Sequence, residues 1–150
     1  MKKKICFVCT GNYYRSRYAE AYMSHLSDLL NLSLECLSAG FEISKADRLS
    51  EMYGEMSPFT KKELDHKQIL GLASKERRAL TDQDIDSSDL LIILDEEEHK
   101  KYLKNYNIGD WSKLVYWNVK DIDDWVPKVT LDVIEINCQK LASEIWNEKF

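Results

Sequence analysis

The sequence predicts a single α/β domain spanning residues 1–150, with a parallel sheet covered by helices on both faces. Three observations carry that expectation. Short apolar runs of strand length alternate along the chain with longer segments of helical period, the order expected of β–α–β units. One run, Leu90-Leu91-Ile92-Ile93-Leu94, is uninterrupted and bounded by aspartates, as in a central strand buried on both sides. The first run, Ile5 to Val8, passes through a short loop straight into a helical pattern. Ligands of parallel sheets bind beyond the C-terminal strand ends, so that loop is placed where a site belongs.

The elements follow in order. Lys4 to Val8 is the first strand, and Lys2-Lys3-Lys4 is its solvated start. A helix runs from about Ser16 to Leu30, with Ala19, Tyr22, Met23, Leu26, Leu29 and Leu30 at helical spacing as its core residues and Asn31 as its stop. Leu32 to Leu37 is the second strand and ends at Ser38-Ala39-Gly40. Phe41 to Glu55 shows no period and reads as a long functional loop. Ser57-Pro58 supplies an N-cap and first helical residue for a helix to about His66. Leu72 to Leu80 is a polar connector, and its Arg77 and Arg78 read as exposed bases. Thr81 and Asp84 form a capping box over a short helix. Asp95 and Glu98 have the same spacing and predict a cap for a helix to about Tyr106. Lys113 to Val119 is the fourth strand, and Val133, Ile134, Cys138, Leu141, Ala142 and Ile145 mark the last helix.

Composition narrows the function. A net charge of −5 argues against nucleic-acid binding, which needs a basic face. No apolar run approaches membrane-spanning length, so no membrane partner is expected and the chain is placed in the cytoplasm. The four cysteines make no disulfide framework in a chain of this size. Cys6 and Cys9 are a CxxC pair, but their odd offset on a strand sends them to opposite faces, which makes Cys6 a core residue. Three scattered histidines give no metal-ligand spacing, so neither metal nor cofactor is expected.

The chemistry concentrates in Cys9-Thr10-Gly11-Asn12-Tyr13-Tyr14-Arg15-Ser16. A tight loop leading into a helix N-terminus aims backbone N–H groups at one spot and adds the helix dipole, which suits a phosphate-sized oxyanion. Cys9 lies at the floor of that cradle, where a thiol nucleophile is favoured. Arg15 can fork two donors onto two phosphoryl oxygens. Gly11 permits a close backbone approach and Asn12 tolerates left-handed angles.

This loop resembles the signature of the low-molecular-weight protein tyrosine phosphatases, Cys-x5-Arg-Ser/Thr near the start of a chain of about this length. Arsenate reductases of the thioredoxin-coupled type share the fold and the loop. Ser38-Ala39-Gly40, Gly54 to Pro58, Leu80-Thr81-Asp82 and the stretch from Ser88 through Asp95 to His99 resemble family blocks in the same order. The resemblance implies a four-stranded sheet of order 2-1-3-4 with the phosphate-binding loop after strand 1. It implies hydrolysis of phosphotyrosine or another phosphomonoester through a cysteinyl phosphate. Cys9 is then the nucleophile, Arg15 the clamp, and Ser16 a hydrogen-bond donor to the thiolate. Thr10, Gly11, Asn12, Tyr13 and Tyr14 complete the substrate-binding loop.

The family's proton donor is an Asp-Pro pair before the last helix. Asp121 matches that position, with Asp123 and Asp124 as rivals, but Ile122 replaces the proline. Tyr14 stands where a second cysteine is frequent, and Arg17 where proline is common. Tyr13 could line the pocket mouth with Trp125 or Tyr53 opposite. Expected partners are a phosphorylated protein or small phosphomonoester, with phosphate and vanadate as competing oxyanions, and the chain is expected as a monomer or weak dimer. Two other functions share these residues. An arsenate reductase would need further cysteines on a mobile segment, and a phospho-binding protein would keep the cradle without efficient turnover.

Overall fold

The computed structural model describes residues 2–149. Four parallel strands form one sheet: β1 (Lys3–Cys9), β2 (Leu34–Gly40), β3 (Leu90–Ile93) and β4 (Leu114–Tyr116), in the order β2-β1-β3-β4. The register pairs Cys9 with Gly40 and Val8 with Ile93, so the strands end together along one edge. The expected fold and strand order are therefore what the chain adopts.

Side-chain alternation along β1 divides the core in two. Ile5, Phe7 and Cys9 face α1 (Arg15–Leu30) and the final helix, while Cys6 and Val8 face the other side with Ile85, Leu91, Ile93 and Leu103. The CxxC pair is thus split across the sheet, as period-2 geometry requires. Burial and the nearby Asp84 charge push the Cys6 thiol up to about 12, which keeps it an inert core residue.

Local signals account for most boundaries. α1 ends where Asn31 takes a left-handed conformation and its N–H bonds Ser27 O. Ser57 caps α3 (Pro58–His66), and Thr81 and Asp84 close a reciprocal capping box on α4 (Asp82–Ser87). The final helix runs from Pro127 to Lys149.

Three expectations need correction. Phe41 to Glu55 is not a loop: it contains a 3₁₀ turn (Ile43–Ala46) and α2 (Asp47–Tyr53). α2 carries Leu49, Met52 and Tyr53 at helical spacing, but it spans only seven residues and buries no side chain, and the 3₁₀ turn buries only Ala46. Asp95 does not cap α5 (Glu96–His99) with its side chain; its carboxylate takes Lys120 Nζ at 3.0 Å, and its N–H donates to His99 Nδ1. The chain then tightens into a 3₁₀ segment, Lys100–Asn105. β4 stops at Tyr116, because β3 itself ends at Ile93; beyond it only single hydrogen bonds, Trp117 N–H to Ile93 O and Val119 N–H to Leu94 O, continue the pairing.

Gly40 sits where β2 meets the first loop. A Cβ there would lie 2.6 Å from Thr10 O and 2.9 Å from Asn12 N, both backbone atoms. Backbone cannot rotate aside, so Gly40→Ala should destabilise the protein by about 1–3 kcal/mol. Urea unfolding measures this, and an unchanged midpoint would contradict the close approach.

Candidate active site

The loop between β1 and α1 is shaped by its carbonyls. Cys9 O accepts from Phe41 N–H and Thr10 O from Glu42 N–H, each at 2.9 Å. Gly11 O accepts from Arg77 Nη1 at 3.0 Å, Tyr13 O from Ser57 N–H at 2.8 Å, and Tyr14 O from Thr60 Oγ1 at 3.0 Å. Among the described residues no peptide is cis. In a trans peptide the next N–H points opposite to the carbonyl. Carbonyls tied outward therefore turn the N–H groups of Thr10, Gly11, Asn12, Tyr14 and Arg15 the other way. That is the construction of an anion cradle at a helix N-terminus.

Asn12 holds the loop from within. Its φ is 49°, in the left-handed region, and it is fully buried. Its Nδ2 donates to Ser16 Oγ and Ser38 Oγ, each at 2.9 Å, and its Oδ1 accepts from Arg78 N–H at 2.9 Å. Ser16 Oγ accepts from Asn12 and lies 2.9 Å from Cys9 Sγ, so that its own proton is available to a Cys9 thiolate, which has none to give. Ser38 in turn donates to the buried Glu20 carboxylate, which also accepts from Ser74 N–H and Oγ. A buried polar chain thus runs from Cys9 to Glu20. Gly11 packs against the 3₁₀ turn, where a Cβ would meet Ala46 Cβ at 2.7 Å.

Arg15 is 2% exposed and its guanidinium is spread over three partners. Glu98 takes both terminal nitrogens, Oε1 from Nη1 at 3.0 Å and Oε2 from Nη2 at 2.7 Å. Val119 O accepts from Nη1 at 2.9 Å, and Asp121 Oδ2 stands 3.6 Å from Nη2. The Asp121 side chain is oriented by its own loop: Oδ1 accepts from Ile122 N–H at 2.8 Å. A proline at 122 has no such N–H. The turn closes on Asp121 O, which accepts from Asp124 and Trp125 N–H at 3.0 Å each. Asp123 and Asp124 are exposed in the same cleft.

The cleft over the loop has a volume of about 1130 Å³. Tyr13, Tyr53, Phe59, Ile122 and Trp125 give it apolar walls. Tyr13 lines the cleft together with Tyr53 and Trp125 and is 7% exposed. Tyr14 is buried beside it. The Thr10 hydroxyl turns to Glu98 at 2.5 Å, which leaves its backbone N–H for the cradle.

Other residues escaped sequence reasoning. Arg77 is no free base: besides Gly11 O it donates to Ile43 O at 2.8 Å and Asp47 Oδ1 at 2.9 Å, which locks the loop to α2. Arg78 pairs with Asp84 at 2.6 Å. Arg17, in the position where proline is common, is buried and donates to Glu55 O and Ser74 O. Glu98 has the spacing of a helix cap, yet its carboxylate takes Arg15. For Glu98, burial works against ionisation, but hydrogen bonds from His99 and Arg15, the Arg15 charge and the Thr10 hydroxyl outweigh it. Its carboxyl is held well below the usual range. Long-range partners of this kind leave no local sequence signal.

A family model described as low molecular weight phosphotyrosine protein phosphatase matches residues 4–149. Among solved structures, the chain is similar to YfkJ from Bacillus subtilis, with a TM-score of 0.78 and 20% identity over 100% of this chain and 98% of that one. It is also similar to a protein tyrosine phosphatase from Entamoeba histolytica with Hepes in the active site, at TM-score 0.78 and 22% identity over 99% and 100%. Vibrio vulnificus Wzb in complex with benzylphosphonate matches at TM-score 0.76 and 17% identity over 96% and 99%. At these identities the likeness shows the fold. A search of curated proteins found no match.

The cysteines differ in surroundings: Cys9 sits at the loop before the α1 N-terminus, the others lie in strands or the last helix. Burial pushes the thiols of Cys6 and Cys36 up to about 12, and the fully buried Cys138 is also raised. Iodoacetate, itself an anion, should therefore alkylate Cys9 first, and phosphate should protect it. Peptide mass spectrometry reads the site. First labelling at Cys36 with no phosphate protection would contradict a cradle at Cys9.

Proposed function

Because the chain belongs to the low molecular weight phosphotyrosine protein phosphatase family, we propose that it hydrolyses phosphomonoesters, phosphotyrosine in particular, through a cysteinyl phosphate on Cys9. The observation that carries this reading is the cradle over Cys9: carbonyls tied outward, N–H groups turned inward, and Arg15 beside them. In the first step Cys9 Sγ attacks phosphorus, the S–P bond forms and the ester P–O bond breaks. Arg15 and the N–H groups stabilise the equatorial oxygens as charge shifts. Asp121 gives its proton to the departing oxygen. In the second step Asp121 takes a proton from water, the water oxygen attacks phosphorus, and the S–P bond breaks. The Ser16 hydroxyl stabilises the thiolate that leaves.

Asp121 is preferred as proton donor over Glu98, which its partners hold ionised. Its free oxygen faces the Arg15 fork while the other is tied to Ile122 N–H. The aromatic walls support an aryl ester as substrate, and a structural neighbour holds benzylphosphonate, a phosphonate on an aryl-methyl group. Relay of oxidation to a second cysteine is not supported. Cys6 lies across the sheet, and Cys36 and Cys138 sit in regular elements with raised pKa values.

Two outcomes follow. Cys9→Ser should abolish turnover of p-nitrophenyl phosphate yet retain phosphate binding, because the cradle remains. Near wild-type turnover in that variant would sink the covalent mechanism. Asp121→Asn should lower turnover of phenyl phosphate by roughly 10²–10⁴-fold and of the nitrophenyl ester far less, since the poorer leaving group needs the proton. If Asp123→Asn or Asp124→Asn shows that leaving-group dependence instead, the assignment moves to that residue.

A further inference from the structure

A guanidinium has an end-on edge, Nη1 and Nη2, and a side-on edge, Nε and the second Nη2 proton. In Arg15 the end-on edge is occupied by both oxygens of Glu98, at 3.0 and 2.7 Å, and Nη1 also serves Val119 O. The side-on edge forms no hydrogen bond within the described residues; Asp121 Oδ2, at 3.6 Å from Nη2, stands beyond bonding distance. Glu98 has its own holders. Thr10 Oγ1 donates to Oε2 at 2.5 Å, and His99 Nε2 lies 3.1 Å from the same oxygen. His99 Nδ1 accepts from Asp95 N–H at 3.2 Å, so the imidazole proton is on Nε2, directed at Glu98 and Thr10. That imidazole is fully buried beside the stacked Phe41 and Tyr102 rings.

We propose that Glu98 is a positioning residue for Arg15: gripping the end-on edge, it leaves the side-on edge to clamp the phosphoryl group. This rests on the phosphatase reading above. A bidentate grip fixes the plane of the guanidinium as well as its place, which a single contact cannot do. The Thr10 contact ties the orientation of the clamp to the loop that carries the nucleophile. The opposed possibility is that Glu98 is an internal stand-in for phosphate that substrate must expel. The grip favours the positioning role, because three donors converge on Glu98 and hold its carboxylate ionised in place.

Glu98→Gln separates the two. The amide keeps the shape but aims an NH₂ at one guanidinium nitrogen and loses the planar match. We expect kcat for p-nitrophenyl phosphate to fall by roughly 10- to 100-fold, the size of effect a misplaced catalytic group gives. Vanadate inhibition should weaken alongside, and the melting temperature should fall as well, because the buried guanidinium loses its ionised partner. Glu98→Asp, which keeps the charge but is too short to span both nitrogens, should show an intermediate loss. In an Arg15→Lys background Glu98→Gln should cost nothing further, since no fork is left to orient. Unchanged or raised kcat with tighter vanadate binding would overturn the proposal in favour of a displaced stand-in. An equal fold-loss in the Arg15→Lys background would overturn it too, by showing that Glu98 does not act through Arg15. If the wild-type chain turns over no phosphomonoester, the phosphatase reading fails by itself. Vanadate affinity then still decides on Glu98: weaker in Glu98→Gln supports the positioning role, equal or tighter refutes it.

Discussion

A cradle of N–H groups exists only if the loop from Cys9 to Arg15 is held in a shape the free chain would not keep, and the Asn12 side-chain amide supplies much of that hold. A left-handed residue costs about 1–2 kcal/mol in an L-chain, less for Asn than for most. The side chain makes three buried hydrogen bonds, to Ser16, Ser38 and Arg78 N–H. At about 0.5–1.5 kcal/mol each, these more than offset the backbone cost. The same amide fixes the direction of the Ser16 hydroxyl, so the geometry of the loop and the hydrogen bond to Cys9 share one cause. Remove it and the left-handed turn in the middle of the loop loses the bonds that offset its cost.

The charges around the cradle are arranged by contact more than by net sign. The chain carries −5 overall, yet its proposed guest is an anion. Attraction is therefore local, from oriented N–H groups, the α1 N-terminus and Arg15. Two carboxylates border the same guanidinium with different constraints. Glu98 is gripped by Arg15, Thr10 and His99 and stays ionised. Asp121 has one oxygen tied to a backbone N–H and the other, half-exposed, toward the cleft. That difference in surroundings is what assigns them different proposed tasks.

The strands, the first loop and the caps at Ser57 and Thr81 were legible in the sequence, because each rests on period or on spacing within a few residues; the strand order was implied only by the family resemblance. Cys6 was placed on the far face by strand alternation alone. What stayed hidden depends on partners far away along the chain. Arg77 and Arg78 read as exposed bases, since their acceptors at Gly11, Ile43 and Asp84 come together only in the fold. Glu98 carried the spacing of a cap and took Arg15 instead, because α5 begins at the strand edge where Arg15 lies. α2 was missed because it is only seven residues long, so that Leu49, Met52 and Tyr53 at helical spacing make too short a pattern to stand out from the polar residues around them. Ile122 stands where the resemblance expects proline, and its N–H holds Asp121.

The central claim is that Cys9 carries the phosphoryl group between the two steps. Rapid acid quench of the wild-type protein turning over p-nitrophenyl phosphate, followed by peptide mass spectrometry, tests it most directly. The account predicts a phosphoryl adduct on the peptide containing Cys9, enriched by Asp121→Asn if water activation in the second step slows more than attack on this good leaving group. Steady turnover with no adduct on Cys9, or with the adduct on another residue, would contradict it.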